Sequence, residues 1–341
     1  TEGLMYPVDF ASSGSSQIGG NIATNAGGIQ VIRYGMTREW VTGLKVVTGT
    51  GELLELNQGL IKNNTGLDFR HLFIGSEGIL GVIVEATLAL TDPPRNPRVM
   101  VLGVRSMAAL MQVLASCQAQ LSILAFEFFS DLALEKVTAE HSIQPPLQEC
   151  YPFYALVEFE STSATAETQA LELVEACMAR GWVADAVLSQ SESQRRSLWR
   201  LREDISETIA QWTPYKNDIS TTVEQAPELL SSVDALVAQQ YADLEVVWYG
   251  HIGDGNLHLN ILKPDGISMG AFQERCKAVS THLFTAVQNL GGSISAEHGV
   301  GLLKKEFLRF SRTEAEIELM RGIKAQFDPD GIFNPGKVFD P

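Results

Sequence analysis

The chain has 341 residues, 45% hydrophobic and 19% charged, enough for roughly two globular domains that each bury a core. A formal net charge of −16 would repel phosphate backbones, and with no basic stripe carrying interleaved aromatics, nucleic-acid binding is disfavoured. No apolar run reaches the ~18 residues a membrane span needs, so the class to explain is a globular protein whose anionic ligands must be drawn in by local Arg or Lys.

In chain order, residues 11–35 come first, with six glycines and many small polar side chains. Such a stretch offers backbone amides and hydroxyls and could wrap a phosphate or the edge of a flat ring, or could equally be a set of structural turns. It holds no G-x-G-x-x-G after a strand, so a dinucleotide turn of the Rossmann kind is not supported. Strands are expected at Leu44–Val47, Leu53–Leu56 and Leu80–Leu90, beside a second glycine cluster, Gly75-Ser76-Glu77-Gly78-Ile79-Leu80-Gly81. Three prolines within Asp92–Pro97 mark a boundary.

Beyond it the pattern alternates: strand Val99–Val104, helix Met107–Gln120, strands Ile123–Phe129 and Tyr154–Phe159, helix Ala164–Arg180, strand Val183–Leu188. That order predicts an α+β layer domain with helices on one face of an antiparallel sheet. A long helix over Glu192–Gln211, an extended piece Tyr215–Val223, helices Pro227–Tyr241 and Phe272–Leu290, and a last helix Glu314–Phe327 complete the expectation. Cys117, Cys150, Cys177 and Cys276 lie scattered without a C-x-x-C pair, which points to free thiols in a reducing compartment, the cytoplasm or a mitochondrial matrix.

Chemistry concentrates in two segments. In YGHIGDGNLHLN, Asp254-Gly255 is the dipeptide a two-residue hairpin turn prefers, and folding there would set His251 opposite His258. Directly opposed residues have Cβ atoms about 5 Å apart, near enough to share a divalent metal. Asn260 then shares the face of His258. In the second segment, Ser295–Gly301, Glu297 and His298 stand side by side between glycines in what reads as a loop. Two His and one Glu suit zinc or a similar ion, and if Glu297 turns to the metal, His298 turns elsewhere and stays available as a base. The plainer alternative is a set of satisfied interior histidines beside a tight turn. Arg202 and Ser206, four apart, share a helix face, and Lys216 follows in the extended piece.

GGNIATNAGGIQVIRYG, HLFIGSEGILGVIVEATL, YGHIGDGNLHLNI, SAEHGVG and FDPDGIFNPGKV, in this order and at these separations, resemble the FAD-linked 2-hydroxyacid dehydrogenases of the vanillyl-alcohol-oxidase superfamily over nearly the whole chain. The resemblance implies the C-terminal half of an FAD-binding domain over residues 1–94. It implies an α+β substrate and metal domain with an antiparallel sheet over 95–300, and a C-terminal helix and tail over 301–341. It also implies oxidation of a D-2-hydroxy acid by hydride transfer to FAD, with His251, His258 and Glu297 as metal ligands and His298 as general base. Arg202, Ser206, Lys216 and Asn260 match the residues that hold the substrate carboxylates. Pro7, Gly19, Gly20, Thr24, Asn25, Gly28, Tyr34, Gly75 and Gly78 match the flavin-facing half.

A second cation at Lys216 favours a dicarboxylate such as D-2-hydroxyglutarate over D-lactate, while D-malate or a longer diacid would satisfy the same charges. The expected partners are the small-molecule hydroxy acid and an electron acceptor such as an electron-transfer flavoprotein or a quinone, with a second copy of the chain as a further candidate. Family members carry an upstream subdomain that grips the FAD pyrophosphate. The chain begins Thr1-Glu2-Gly3 without it, so weak or absent FAD binding is expected of the chain as given. Two other readings stay open: a metal-holding module that captures a hydroxydiacid without turnover, and a metal-dependent hydrolase, against which no nucleophile motif is present.

Overall fold

A computed structural model describes residues 3–9, 14–163 and 165–340. The first three residues of the glycine-rich 11–35 stretch and the expected start of a helix at Ala164 lie outside these. The chain divides into two compact units, one built from Thr1–Pro93 with Ser293–Pro341 and one from Pro94–Gly292. Residues 293–300, expected with the substrate domain, therefore group with the first unit.

The first unit carries helices α1 (Ile18–Thr24), α2 (Val31–Tyr34) and α3 (Thr37–Trp40), strands β1 (Val41–Thr48) and β2 (Leu53–Leu56), the short helix α4 (Arg70–Phe73), and strand β3 (Gly81–Leu88). The strands pair antiparallel in the order β2-β1-β3, with Leu44 opposite Leu56 and Ala86. One face of β1, with Val41, Leu44 and Val46, packs on Ile22, Phe73, Ile79 and Leu80 and on Leu308, Ile317, Val338 and Phe339 from the far end of the sequence. That burial is what recruits the C-terminal segment: its helix, Glu314–Phe327, is amphipathic and places Ile317 in this core. The helix starts at a capping box in which Thr313 and Glu316 satisfy each other's backbone N–H groups. Within the glycine-rich stretch the chain forms α1 and α2 rather than open loop throughout, because Ile18 and Ile22 set a helical period among the small residues and Ile22 is fully buried.

The second unit holds β4 (Pro97–Val104), α5 (Met107–Gln120), β5 (Ile123–Ser130), α6 (Asp131–His141), β6 (Phe153–Glu160), α7 (Ala166–Ala179), β7 (Asp185–Leu188), α8 (Glu192–Glu203) and α9 (Ile205–Thr208). It continues through β8 (Tyr215–Ser220), α10 (Ala226–Gln240), β9 (Val246–Gly250), β10 (Asn256–Ile261) and α11 (Met269–Asn289). Its strands form one seven-stranded sheet in the order β7-β4-β6-β5-β9-β10-β8, antiparallel at every junction.

The one-face expectation needs correction. Positions of both parities are buried along β5, β6 and β10, so both faces of the sheet are covered. Helices α5, α7, α10 and α11 pack among themselves as one layer, and α6, α8 and α9 as another. The expected helix over Glu192–Gln211 is also broken, into α8, α9 and a 3-10 turn over Ile209–Trp212. Helix α6 was not expected at all. It starts directly off β5 at Ser130 with no Gly or Pro between them.

Candidate functional site

The site grows from the register of four adjacent strands. On β10, His258 lies opposite Tyr249 of β9 and Asp218 of β8, and Asn260 lies opposite Val247 and Lys216. With a side-chain period of two, His258, Asn260, Asp218, Lys216 and Tyr249 therefore share one face of the sheet. Strand β5 pairs Phe128 with Gly250 and Phe129 with Tyr249, and continuing that register by one residue brings Glu127 to His251.

His251 is not opposite His258, as a two-residue turn would require. The connection is a 3-10 turn, Ile252–Asp254, closed by Gly255 at φ 83°, and His251 sits just past the end of β9 with φ −91° and ψ 68°. That kink still turns the imidazole toward its neighbour: the His251 and His258 rings are edge to face with centroids 5.3 Å apart. A Cβ on Gly255 would fall on the Thr221 carbonyl oxygen, so the turn fits only glycine there.

Both imidazoles are buried and both meet a carboxylate through Nδ1. His251 Nδ1 is 2.8 Å from Glu127 Oε1, and His258 Nδ1 is 3.6 Å from Asp218 Oδ1. Asn256 donates from Nδ2 to Asp218 Oδ1 at 2.9 Å and to the Ile219 carbonyl at 3.0 Å, which fixes that carboxylate. For His251, within hydrogen-bond reach of Glu127, a carboxylate on Nδ1 favours Nδ1–H and leaves Nε2 the basic nitrogen, the arrangement that orients metal-ligating histidines, while His258 and Asp218 stand at ion-pair distance. The second oxygen of Glu127 pairs with Arg202 Nη2 at 2.8 Å, and the Arg202 guanidinium lies 4.6 Å over the Tyr249 ring.

Among the buried donors without a partner on these elements are Arg202 Nε and, on the face of His258, Asn260 Nδ2. An unsatisfied buried donor costs about 1–3 kcal/mol, and a bound carboxylate would satisfy both types. Lys216 Nζ donates to Ser206 Oγ at 3.2 Å, so these two also come together. Thus Arg202, Ser206, Lys216, Asn260, His251 and His258 all belong to the second unit, on α8, α9, β8, β10 and, for His251, the turn after β9. Glu127, Asp218 and Tyr249 were missed from sequence. The available signal was Glu127 itself, a lone carboxylate in the apolar run Ile123–Phe129, since a buried charge is rare unless paired.

Glu297 and His298 lie in the first unit, on a loop tied down through Glu77. Its carboxylate accepts the N–H groups of Val300 and Gly301 at 2.7 and 2.8 Å. Ser295 Oγ donates to the Gly299 carbonyl, and Lys304 Nζ donates to the Ile294 carbonyl at 2.9 Å. His298 is exposed and Glu297 half-buried. A Cβ on Gly27 would come 2.9 Å from Glu297 Oε1, so the glycine-rich stretch runs against this carboxylate.

The residues matched to the flavin are all in this unit. Gly19, Gly20 and Thr24 are on α1, Asn25 caps it in the left-handed region at φ 51°, and Tyr34 ends α2. Asn25 Oδ1 accepts the Arg38 N–H at 2.9 Å. Pro7 is buried, while Gly28, Gly75 and Gly78 have φ of 154°, 83° and 72°. A Cβ on Gly20 would meet nothing within 4 Å, and on Gly19 only the Ile83 carbonyl at 4.0 Å, so neither glycine is demanded by packing.

All four cysteines are free. Burial pushes the Cys276 thiol up to about 11 and raises Cys117 and Cys177 as well, which leaves them as inert core side chains. Among the described residues no helix is long and apolar enough to cross a membrane.

Residues 93–338 match the family model of FAD linked oxidases, C-terminal domain, and residues 1–57 that of an FAD binding domain. The chain is 58% identical over 338 residues to a D-2-hydroxyglutarate dehydrogenase of Stutzerimonas stutzeri, covering 99% of this chain and 73% of the relative. It is 36% identical over 350 residues to a putative mitochondrial D-lactate dehydrogenase of Schizosaccharomyces pombe, covering 98% of this chain and 65% of that one. Among solved structures, p-cresol methylhydroxylase with substrate bound superposes with a TM-score of 0.71 at 12% identity, covering 99% of this chain and 72% of that one, a likeness of fold. The chain belongs to the FAD-linked oxidases and has the fold of the vanillyl-alcohol-oxidase group.

Proposed function

We propose that this protein oxidises a D-2-hydroxy acid, D-2-hydroxyglutarate first, to the 2-oxo acid, with FAD and a divalent cation, zinc first. The observation that carries the reading is the buried His251–His258 pair, each ring backed on Nδ1 by a carboxylate, in a chain 58% identical to a D-2-hydroxyglutarate dehydrogenase. FAD, when bound, supplies the two-electron acceptor, and the cation a Lewis acid for the α-hydroxy carboxylate. His251, His258 and Glu297 hold the cation, a nitrogen and oxygen donor set that leaves positions for substrate. Arg202 and Asn260, whose Nε and Nδ2 are unpaired and buried, receive one carboxylate. Lys216 with Ser206 receives the distal one, which favours a dicarboxylate over D-lactate.

His298 takes the hydroxyl proton while the α-hydrogen leaves with its electron pair, so the substrate loses two electrons and two protons in all. The electrons pass on to a carrier such as an electron-transfer flavoprotein or a quinone.

The test reconstitutes the protein with excess FAD, verifies the protein-bound flavin band, and mixes it anaerobically with D-2-hydroxyglutarate, D-malate and D-lactate. Bleaching of the flavin band is expected, fastest with D-2-hydroxyglutarate, and Glu297→Ala is expected to lower bound zinc and the bleaching rate together. An unchanged spectrum with all three acids would reduce the protein to a binding module. Unchanged zinc in Glu297→Ala would remove that residue from the set.

A further inference from the structure

We infer that Glu127 is a positioning residue shared by the two halves of the site: one carboxylate that both orients the cation ligand His251 and sets the substrate arginine Arg202. The inference rests on the proposed roles of those two residues and adds a third that sequence did not suggest. Glu127 is 1% exposed, on β5 in the middle of the sheet. Its Oε1 is 2.8 Å from His251 Nδ1 and its Oε2 is 2.8 Å from Arg202 Nη2. Oε1 stands within hydrogen-bond reach of His251 while Oε2 meets Arg202 as a close ion pair and not as a hydrogen-bond acceptor, so both partners are met only by a side chain that accepts from the imidazole and carries a negative charge to the guanidinium. A carboxylate does so, and a glutamine amide, with one acceptor and no charge, satisfies at most one.

The same face of the sheet offers an internal comparison. Glu158 on β6 is also buried, pairs with Arg195 Nη1 at 2.6 Å and accepts from Trp199 Nε1 at 2.9 Å. Glu127 and Glu158 thus both fasten α8 to the sheet, and Glu127 in addition faces the proposed cation ligand His251. Fastening alone would ask for nothing beyond the contact with α8.

The experiment compares Glu127→Gln, Glu127→Asp and Glu158→Gln in the full chain. Zn2+ affinity is read by chelator competition, and D-2-hydroxyglutarate affinity by calorimetry on the Zn2+-loaded protein. Glu127→Gln is expected to weaken Zn2+ about 10-fold or more, or to weaken D-2-hydroxyglutarate comparably, because one of its two partners loses its acceptor or its counter-charge. Glu127→Asp keeps both oxygens and the charge one methylene short and is expected to fall between it and the wild type. It carries the comparison if Glu127→Gln does not fold. Glu158→Gln is expected to lower the melting temperature with both affinities unchanged. A Glu127→Gln protein that matches Glu158→Gln in both affinities overturns the inference.

His251→Ala, measured in parallel, separates the two levels. If it loses Zn2+ while the Glu127 variants keep both affinities, only the role of Glu127 falls. If it binds Zn2+ at wild-type strength, the site reading falls and the shared role with it.

Discussion

Carboxylates in this protein hold two or more backbone or cationic donors at once at Glu77 and Asp328, and Asp328 shows the stability side of that use. Its side chain is fully buried, accepts the Ile332 and Phe333 N–H groups at 3.0 and 2.8 Å, and pairs with Lys324 Nζ at 2.7 Å. Burial pushes its carboxyl up, but Lys324 and the two N–H groups outweigh that and hold it below the usual aspartate range. A folded-state value below the unfolded one means the stabilisation is fully present above the unfolded value, about pH 4, and is lost as pH falls through the folded one. Asp328→Asn should therefore cost about 3 kcal/mol at neutral pH, the scale of breaking a buried pair, and should flatten the acid limb of stability. Urea unfolding from pH 7 down to pH 3 measures both, and an unchanged acid limb would remove Asp328 as its source. Asp328 was readable from FDPDGIFNPGKV only as part of a helix stop. That its Cα lies where Gly49 would carry a Cβ, 2.6 Å away, required the fold.

At the scale of elements, the turn between β9 and β10 decides whether two histidines make a site. Gly255 is at φ 83° with the Thr221 carbonyl where a Cβ would stand, so Gly255→Ala must move the Ile252–Asp254 turn. Left-handed strain alone costs about 1 kcal/mol or more, and the steric clash adds to it. The expected outcome is a lower melting temperature together with weaker Zn2+ binding, since the turn carries His251. Loss of stability with zinc affinity intact would show that the two rings find their places independently of the turn.

This turn also marks the limit of what a sequence can show. The alternation on either side predicted two strands, and the pairing of His251 with His258 followed in effect though not in register. A turn type depends on which carbonyl the glycine must clear, and Thr221 is 34 residues away from it in sequence. Helix α5, with a Ser106 cap donating nothing and accepting from Ala109, was legible because its signal is local. The α8–α9 break was not legible, because Glu203–Ile205 carries no glycine or proline and the buried Leu201, Ile205 and Ile209 keep a helical spacing across it. Glu127 left a local trace as a lone carboxylate in an apolar run, but its partners, 75 and 124 residues away, were not legible.

At the scale of the molecule, the chain's net charge of −16 works against any anionic ligand, so the proposed capture of a dicarboxylate rests on local cations, Arg202 on α8 and Lys216 on β8. The division of the chain sharpens this. The second unit is continuous, residues 94–292, with its own sheet, two helical layers and every proposed carboxylate-binding residue, whereas the first needs both ends of the sequence to complete its core. Autonomous folding requires a core that closes within the segment. The fragment 94–292 is therefore expected to unfold cooperatively in urea, and residues 1–93 alone are expected not to fold, lacking Leu308, Ile317, Val338 and Phe339. The fragment retains His251 and His258 but not Glu297, so its Zn2+ affinity is expected to fall below that of the full chain by about tenfold or more, as is expected of Glu297→Ala. Equal zinc affinity in fragment and full chain would mean that the cation is held by the second unit alone, and would assign the third ligand to a residue between 94 and 292 instead.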